Sequence, residues 1–186
     1  MKSLQRVLFF CLLGLSACVS IDGVDVYSDS CLDSQDENCQ LNEREQWIIN
    51  VCSLTANSYP YYRDRLLYHG YGELFTENAT FQIGDHAEIK GKTAIVEALR
   101  SRGSSATTRH FSQVVNMQAV DENTARGVSY LNLYSAKTES QDILAGSKKK
   151  QAIAPLLIAE YHDTFKIKNR RCLIDSRKVV IIFMGD

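Results

Sequence analysis

The sequence predicts an α+β domain with N-terminal helices packed on one face of a curved, mostly antiparallel sheet. Three observations carry this. Apolar residues recur at helical spacing between Leu41 and Gly103. After Ser105 the texture changes to long β-branched and aromatic runs broken by short polar turns. Helices come first and the long strands, joined by short turns, come afterwards.

The elements follow in order. "LNEREQWIINVCSLTANSY" places Trp47, Ile48, Val51, Leu54 and Thr55 at helical spacing, with Asn42 as cap and Glu43 and Glu45 in the first turn, where the helix dipole favours acids. Pro60 lacks an amide proton and is expected to break this helix. A second helix is expected from Asp64 to Phe75. "NATFQIG" and "HAEIK" read as two short strands around a turn at Gly84 and Asp85, and "GKTAIVEALRSRG" as a third helix that ends at Gly103 with Ile95, Val96 and Leu99 on one face. "TTRHFSQVVNMQAV", "TARGVSYLNLYSA", "QAIAPLLIAEYHDTFKIK" and "RCLIDSRKVVIIFMG" read as four strands of an antiparallel meander, with Pro155 marking an edge or a bulge.

The chain has 186 residues, 45% hydrophobic and 23% charged, enough to bury one core. A net charge of -1, with one local basic run at Lys148 to Lys150, gives no basic surface for nucleic acid. The first residues read as an export signal. Lys2 and Arg6 precede "VLFFCLLGL", which is too short to span a bilayer. "LSAC", Leu15 to Cys18, resembles the lipobox of bacterial lipoproteins. That resemblance implies cleavage before Cys18, a diacylglycerol on its sulfur and a lipid anchor. Without an acid at Val19 or Ser20, the periplasmic face of the outer membrane is the expected address. The expected divisions are a signal peptide over 1–17, the lipidated Cys18 with a polar tether over 18–41, and a folded domain over 42–186.

Cys31, Cys39, Cys52 and Cys172 remain in an oxidising compartment. Cys31 and Cys39 lie close together in a polar segment, whereas Cys52 and Cys172 lie in apolar-patterned segments at opposite ends of the domain. Cys31–Cys39 and Cys52–Cys172 are therefore the favoured pairs, with separate buried thiols at Cys52 and Cys172 as the alternative. No C-x-x-C spacing, convergent metal ligands, glycine-rich phosphate loop or serine elbow is present. Neither a metal nor another cofactor is expected.

From about 42 to 184 the chain resembles the SnoaL-like, scytalone-dehydratase-like branch of the nuclear-transport-factor-two-like, or cystatin-like, superfamily. Tyr59, Asp64, "ELFTENATF", "IKGKTAI", "TRH" at 108–110, "YHDTF" at 161–165 and Arg177 occur in the family's order. The resemblance implies a cone in which the sheet wraps a long helix and encloses a mostly apolar pocket; homodimers are common in the superfamily. It also implies that Asp64 faces His110 in that pocket and that Tyr59 lines it. A carboxylate bonded to one imidazole nitrogen fixes the tautomer and leaves the other nitrogen to move a proton. The competing structural role for Asp64 is a helix N-cap. For Tyr59 it is a core aromatic, and for His110 an ordinary buried or rim histidine. Strand alternation brings Tyr130, Asn132 and Tyr134 to one face, as candidates to bind a carbonyl or hydroxyl or as a polar outer surface. His69, His86 and His162 read as solvated or structural.

Two functions follow. One is an envelope lipoprotein whose pocket binds a small apolar ligand or a partner without chemistry. The other is a cofactor-free lyase or isomerase, dehydratase- or cyclase-like, that uses Asp64 and His110 as a general acid–base pair with Tyr59.

Overall fold

A single stripe of α1 (Glu43–Asp64) organises the domain. Ile48, Cys52, Ala56, Tyr59 and Arg63 are its buried residues, spaced by three or four, so one face meets the sheet. Leu54 from the expected stripe points outward and is exposed. The computed structural model describes residues 41–103, 106–137 and 155–185. Cys18, the 1–17 leader, the 18–41 tether up to residue 40, the Cys31–Cys39 pair and Lys148–Lys150 lie outside them.

The start of α1 is as expected. Asn42 and Glu45 form a capping box, each side chain accepting the other's backbone N–H at 2.9 Å. Its end is not. The helix runs through Pro60 to Asp64, because its last turn still buries Tyr59 and Arg63. The missing donor at Pro60 costs one bond, and the burial on either side of it outweighs that loss. The helix then stops in a reversed turn. Leu66 adopts a left-handed φ of 54°, the Leu66 N–H donates to the Arg63 carbonyl, and the Leu67 N–H to the Tyr62 carbonyl. This is a Schellman end with leucine where glycine is usual. Asp64 therefore closes α1 and does not cap a following helix. The next helix, α2 (Tyr68–Gly72), is a short turn without a side-chain cap.

The strands are β1 (Phe75–Ile83), β2 (Ile89–Lys90), β3 (Ala106–Asp121), β4 (Thr124–Lys137), β5 (Leu157–Lys168) and β6 (Arg171–Met184). A third helix, α3 (Lys92–Ser101), connects β2 to β3. The sheet order is β2-β1-β6-β5-β4-β3, antiparallel except where β1 pairs with β6. This is the α+β fold expected, with the meander β3 to β6 intact. Pro155 lies just before β5, not within it, and so interrupts no interior ladder. Register shifts in β3 between Val114 and Asn116 and in β5 between Thr164 and Phe165 supply local bends in the sheet. Asn169 and Arg170, both at positive φ, make the tight β5–β6 turn.

Cys52 on α1 is disulfide-bonded to Cys172 on β6, and this cross-link ties helix to sheet across a separation of 120 residues. Closing so long a loop restricts the unfolded chain strongly. Replacing both cysteines by alanine is expected to cost about 2–4 kcal/mol in denaturant unfolding; no change in midpoint would contradict this role.

Candidate functional site

Helices α1, α2 and α3 and residues from all six strands line a cavity of about 240 Å³. Its wall is mainly aliphatic. Ile95, Ala98 and Leu99 come from α3, Leu131 and Leu133 from β4, and Phe81 from β1. Arg102 and Leu156, both exposed, mark where the cavity reaches the surface.

Asp64 and His110 meet at this wall. His110 sits on β3, and the turn after Asp64 leaves its carboxylate facing that strand. His110 Nδ1 lies 2.5 Å from Asp64 Oδ1, and the His110 backbone N–H donates to Asp64 Oδ2 at 2.7 Å. Thr108 Oγ1 donates to Asp64 Oδ1 at 3.2 Å, and Arg63 Nη1 donates to Thr108 Oγ1 at the same distance. The His110 and Asp64 side chains are only 4% and 8% exposed. His110 lines the cavity, and its Nε2 has no hydrogen-bond partner among the described residues. Asp64 stands behind the imidazole and is not itself on the wall.

The electrostatics set the protonation states. Burial alone would raise the Asp64 carboxyl, but the bonds and charge of His110 and the hydroxyl of Thr108 outweigh it and hold the carboxyl below its ordinary range. Burial, helped by the charges of Arg63 and Arg177, lowers the His110 pKa below 6.5 despite the carboxylate. At neutral pH the pair is thus a carboxylate and a neutral imidazole. A carboxylate can only accept, so the Nδ1 carries the proton and Nε2 presents a lone pair to the cavity. Any activity that needs this lone pair should fall as pH drops through a midpoint below 6.5. Stability moves the same way. Both groups have folded pKa values below their unfolded ones, so the unfolded state binds more protons on acidification. Their contributions are lost below 6.5 for His110 and below 3.8 for Asp64. A pH–rate profile whose acid limb lies above 6.5 would contradict this arrangement.

Tyr59 is 2% exposed and lines the cavity within an aromatic cluster. Its ring lies 5.4 Å from Tyr71 and 5.5 Å from Tyr161, centroid to centroid, and 6.4 Å from the His110 ring. Burial and the neighbouring Tyr59 push the hydroxyls of Tyr71 and Tyr161 well above the ordinary phenol value, so both remain protonated donors. Beneath them Arg177 stacks 4.1 Å from the centres of both the Tyr59 and Tyr161 rings. It donates Nε and Nη2 to the two oxygens of Asp163 at 2.7 and 2.6 Å, and both side chains are almost wholly buried. Burial opposes the Arg177 charge, but Asp163 outweighs it and keeps the guanidinium protonated.

Tyr130, Asn132 and Tyr134 are placed differently from their candidate role as ligand-binding groups. They lie on the opposite face of β4, where Tyr130 is 55% exposed and Tyr134 packs edge-on against exposed Phe111. Alternation is present, but Leu131 and Leu133 are the inward residues. Sequence reasoning did not give Arg63, Tyr71 or Tyr161 a role at the site, and it met Arg177 only as a family position. His162 bonds Glu160 at 2.7 Å, away from the cavity wall. Among the described residues no cluster of three or more His, Cys, Asp or Glu could hold a metal ion.

Comparison with known proteins agrees with this architecture. The SnoaL-like domain model matches residues 51–178. A scytalone dehydratase candidate from Novosphingobium aromaticivorans superposes with a TM-score of 0.61 at 17% identity, covering 74% of this chain and 85% of its own. A Mycobacterium tuberculosis protein of unknown function gives 0.60 at 20% identity, covering 75% of each chain. A ketosteroid isomerase-like protein from Erwinia carotovora atroseptica gives 0.60 at 10% identity, covering 77% of this chain and 99% of its own. These likenesses concern the fold. No curated protein matches the chain.

Proposed function

Because the chain belongs to the SnoaL-like domain family, we propose that it is a cofactor-free lyase or isomerase acting by general acid–base chemistry on a small, largely apolar carbonyl compound. One observation carries this reading: His110, bonded through Nδ1 to Asp64, lines a mainly apolar cavity and keeps Nε2 without a partner among the described residues. Nε2 takes a proton from a carbon next to the substrate carbonyl. The electrons move onto the carbonyl oxygen, and a phenol of Tyr59, Tyr71 or Tyr161 stabilises that oxygen as charge develops. The imidazolium, stabilised by the Asp64 carboxylate, then returns the proton. Delivery to another carbon gives isomerisation; delivery to a departing β-hydroxyl expels water.

The cavity volume corresponds to roughly eight waters at about 30 Å³ each. That suits a single-ring or short-chain compound. The test is proton exchange in D2O, followed by NMR, for small cyclic ketones and β-hydroxy ketones. Wild-type protein should accelerate exchange at the α-carbon. Absence of exchange across these compounds, with binding intact, would favour a pocket protein without chemistry.

We also propose attachment to the periplasmic face of the outer membrane through a lipidated Cys18, supported by the "LSAC" sequence alone. Cys18→Ser should move the protein from the membrane to the soluble fraction; continued membrane association would overturn the lipobox reading. A homodimer is proposed on the family resemblance, supported by exposed Phe111, Tyr130 and Phe183 on the outer sheet face.

A further inference from the structure

We infer that the ligand of this cavity carries a carboxylate, held by Arg63, on an otherwise apolar body. This names the ligand class for the site proposed above and rests on that cavity being the ligand site. The inference starts from an imbalance on the wall. Its charged residues are Arg63 inside and Arg102 at the mouth, and no carboxylate lines it. Its other polar groups include three phenols, from Tyr59, Tyr71 and Tyr161, each able to donate. Each phenol oxygen can also accept, and His110 Nε2 adds a further lone pair, so the neutral groups of the wall set no preference. The bias that remains is charge: a guanidinium on a wall without a carboxylate favours an anionic ligand.

Arg63 makes the preference specific. It is 8% exposed, so its guanidinium is largely removed from water. Nη1 donates to Thr108 Oγ1. Nε and Nη2 have no hydrogen-bond partner among the described residues. Asp64 is the nearest acid, but its Oδ1 lies 3.9 Å from Nη1, and its oxygens already accept from His110 and Thr108. Arg177 does not compete for a ligand anion, because Asp163 takes it bidentately behind the tyrosines. A guanidinium with free N–H groups facing an apolar hollow suits a planar carboxylate, which can take two parallel bonds from it. Arg102, exposed at the mouth, adds attraction on entry that salt screens. With the carboxylate on Arg63, the ligand's apolar body lies along the aliphatic wall, near the His110 nitrogen.

The experiment compares cyclohexanecarboxylate with cyclohexanecarboxamide, equal in size and shape, by calorimetric titration of the full chain near pH 7.5. The carboxylate should bind about tenfold more tightly or better, as expected when a paired, two-bond contact with an anion replaces a bond to a neutral carbonyl. Arg63→Gln should erase that ratio, weakening carboxylate binding far more than amide binding. Arg63→Lys keeps the charge and should retain part of it, which provides a second reading if the glutamine variant fails to fold. Arg102→Ala should reduce carboxylate affinity mainly at low salt. Equal binding of the two probes, tighter binding of the amide, or an unchanged ratio in the folded Arg63 variants would overturn the inference. Binding needs no turnover, so the two proposals fail separately. Selective carboxylate binding without catalysis would remove the lyase reading alone. Exchange on neutral ketones without carboxylate preference would remove this inference alone.

Discussion

His110→Ala is expected to lower kcat/KM by about 10²–10⁴-fold, the range for loss of a positioned general base. At about 1.4 kcal/mol per tenfold, that is about 3–6 kcal/mol of transition-state stabilisation. Thermal stability should change much less. In the folded protein the imidazole is neutral, and Asp64 keeps the backbone N–H of residue 110 and the Thr108 hydroxyl as donors after the side chain is removed. Asp64→Asn should give a smaller loss, because Nε2 remains but the tautomer and the stabilised imidazolium are lost. The double variant should be little worse than His110→Ala, since the two residues act as one unit. Steady-state kinetics and calorimetry on the three variants check this. Additive losses would mean that Asp64 and His110 act independently, and a large fall in melting temperature with unchanged kinetics would make His110 structural.

Asp163→Asn is expected to destabilise the fold by about 3–5 kcal/mol, the cost of leaving a buried charge without its partner. Arg177 is 1% exposed and its guanidinium is pressed between two tyrosine rings, so it cannot reach water without opening the cavity wall. Its Nη1 already lacks a protein partner, so the ion pair has no reserve. The double replacement Asp163→Leu with Arg177→Met should recover much of the loss, because an apolar pair of similar volume avoids desolvating two charges. Denaturant unfolding measures both. A loss below about 1 kcal/mol for Asp163→Asn would show that the site tolerates a lone guanidinium.

The fold class was legible because all three helices precede the four long strands of the meander, with only β1 and β2 among them. The end of α1 was not. Pro60 points to a break, while the actual stop is a Schellman turn carried by Leu66, for which no glycine gives a signal. That turn is also what presents Asp64 to His110. The pairing of these two residues was accessible through the family's order of motifs, not through spacing, since 46 positions separate them. Alternation on β4 identified two faces but gave no parity, so Tyr130, Asn132 and Tyr134 read equally as ligand-binding groups or as a polar outer surface. The Asp163–Arg177 pair depends on a register shift. From Phe165 to Lys168, residues pair with β6 at a constant offset that would put Asp163 opposite Ser176; the irregularity between Thr164 and Phe165 moves it opposite Arg177. A one-residue shift of this kind leaves no mark in composition or periodicity.

The protonation state of one ring tests the central claim most directly. In ¹⁵N-histidine-labelled protein near pH 7, long-range ¹⁵N–¹H NMR correlations report which nitrogen of His110 holds the proton. A protonated Nδ1 and an unprotonated Nε2, changing only below pH 6.5, is the predicted result. An imidazolium at neutral pH, or the opposite tautomer, would mean that Asp64 does not prepare this side chain as a base.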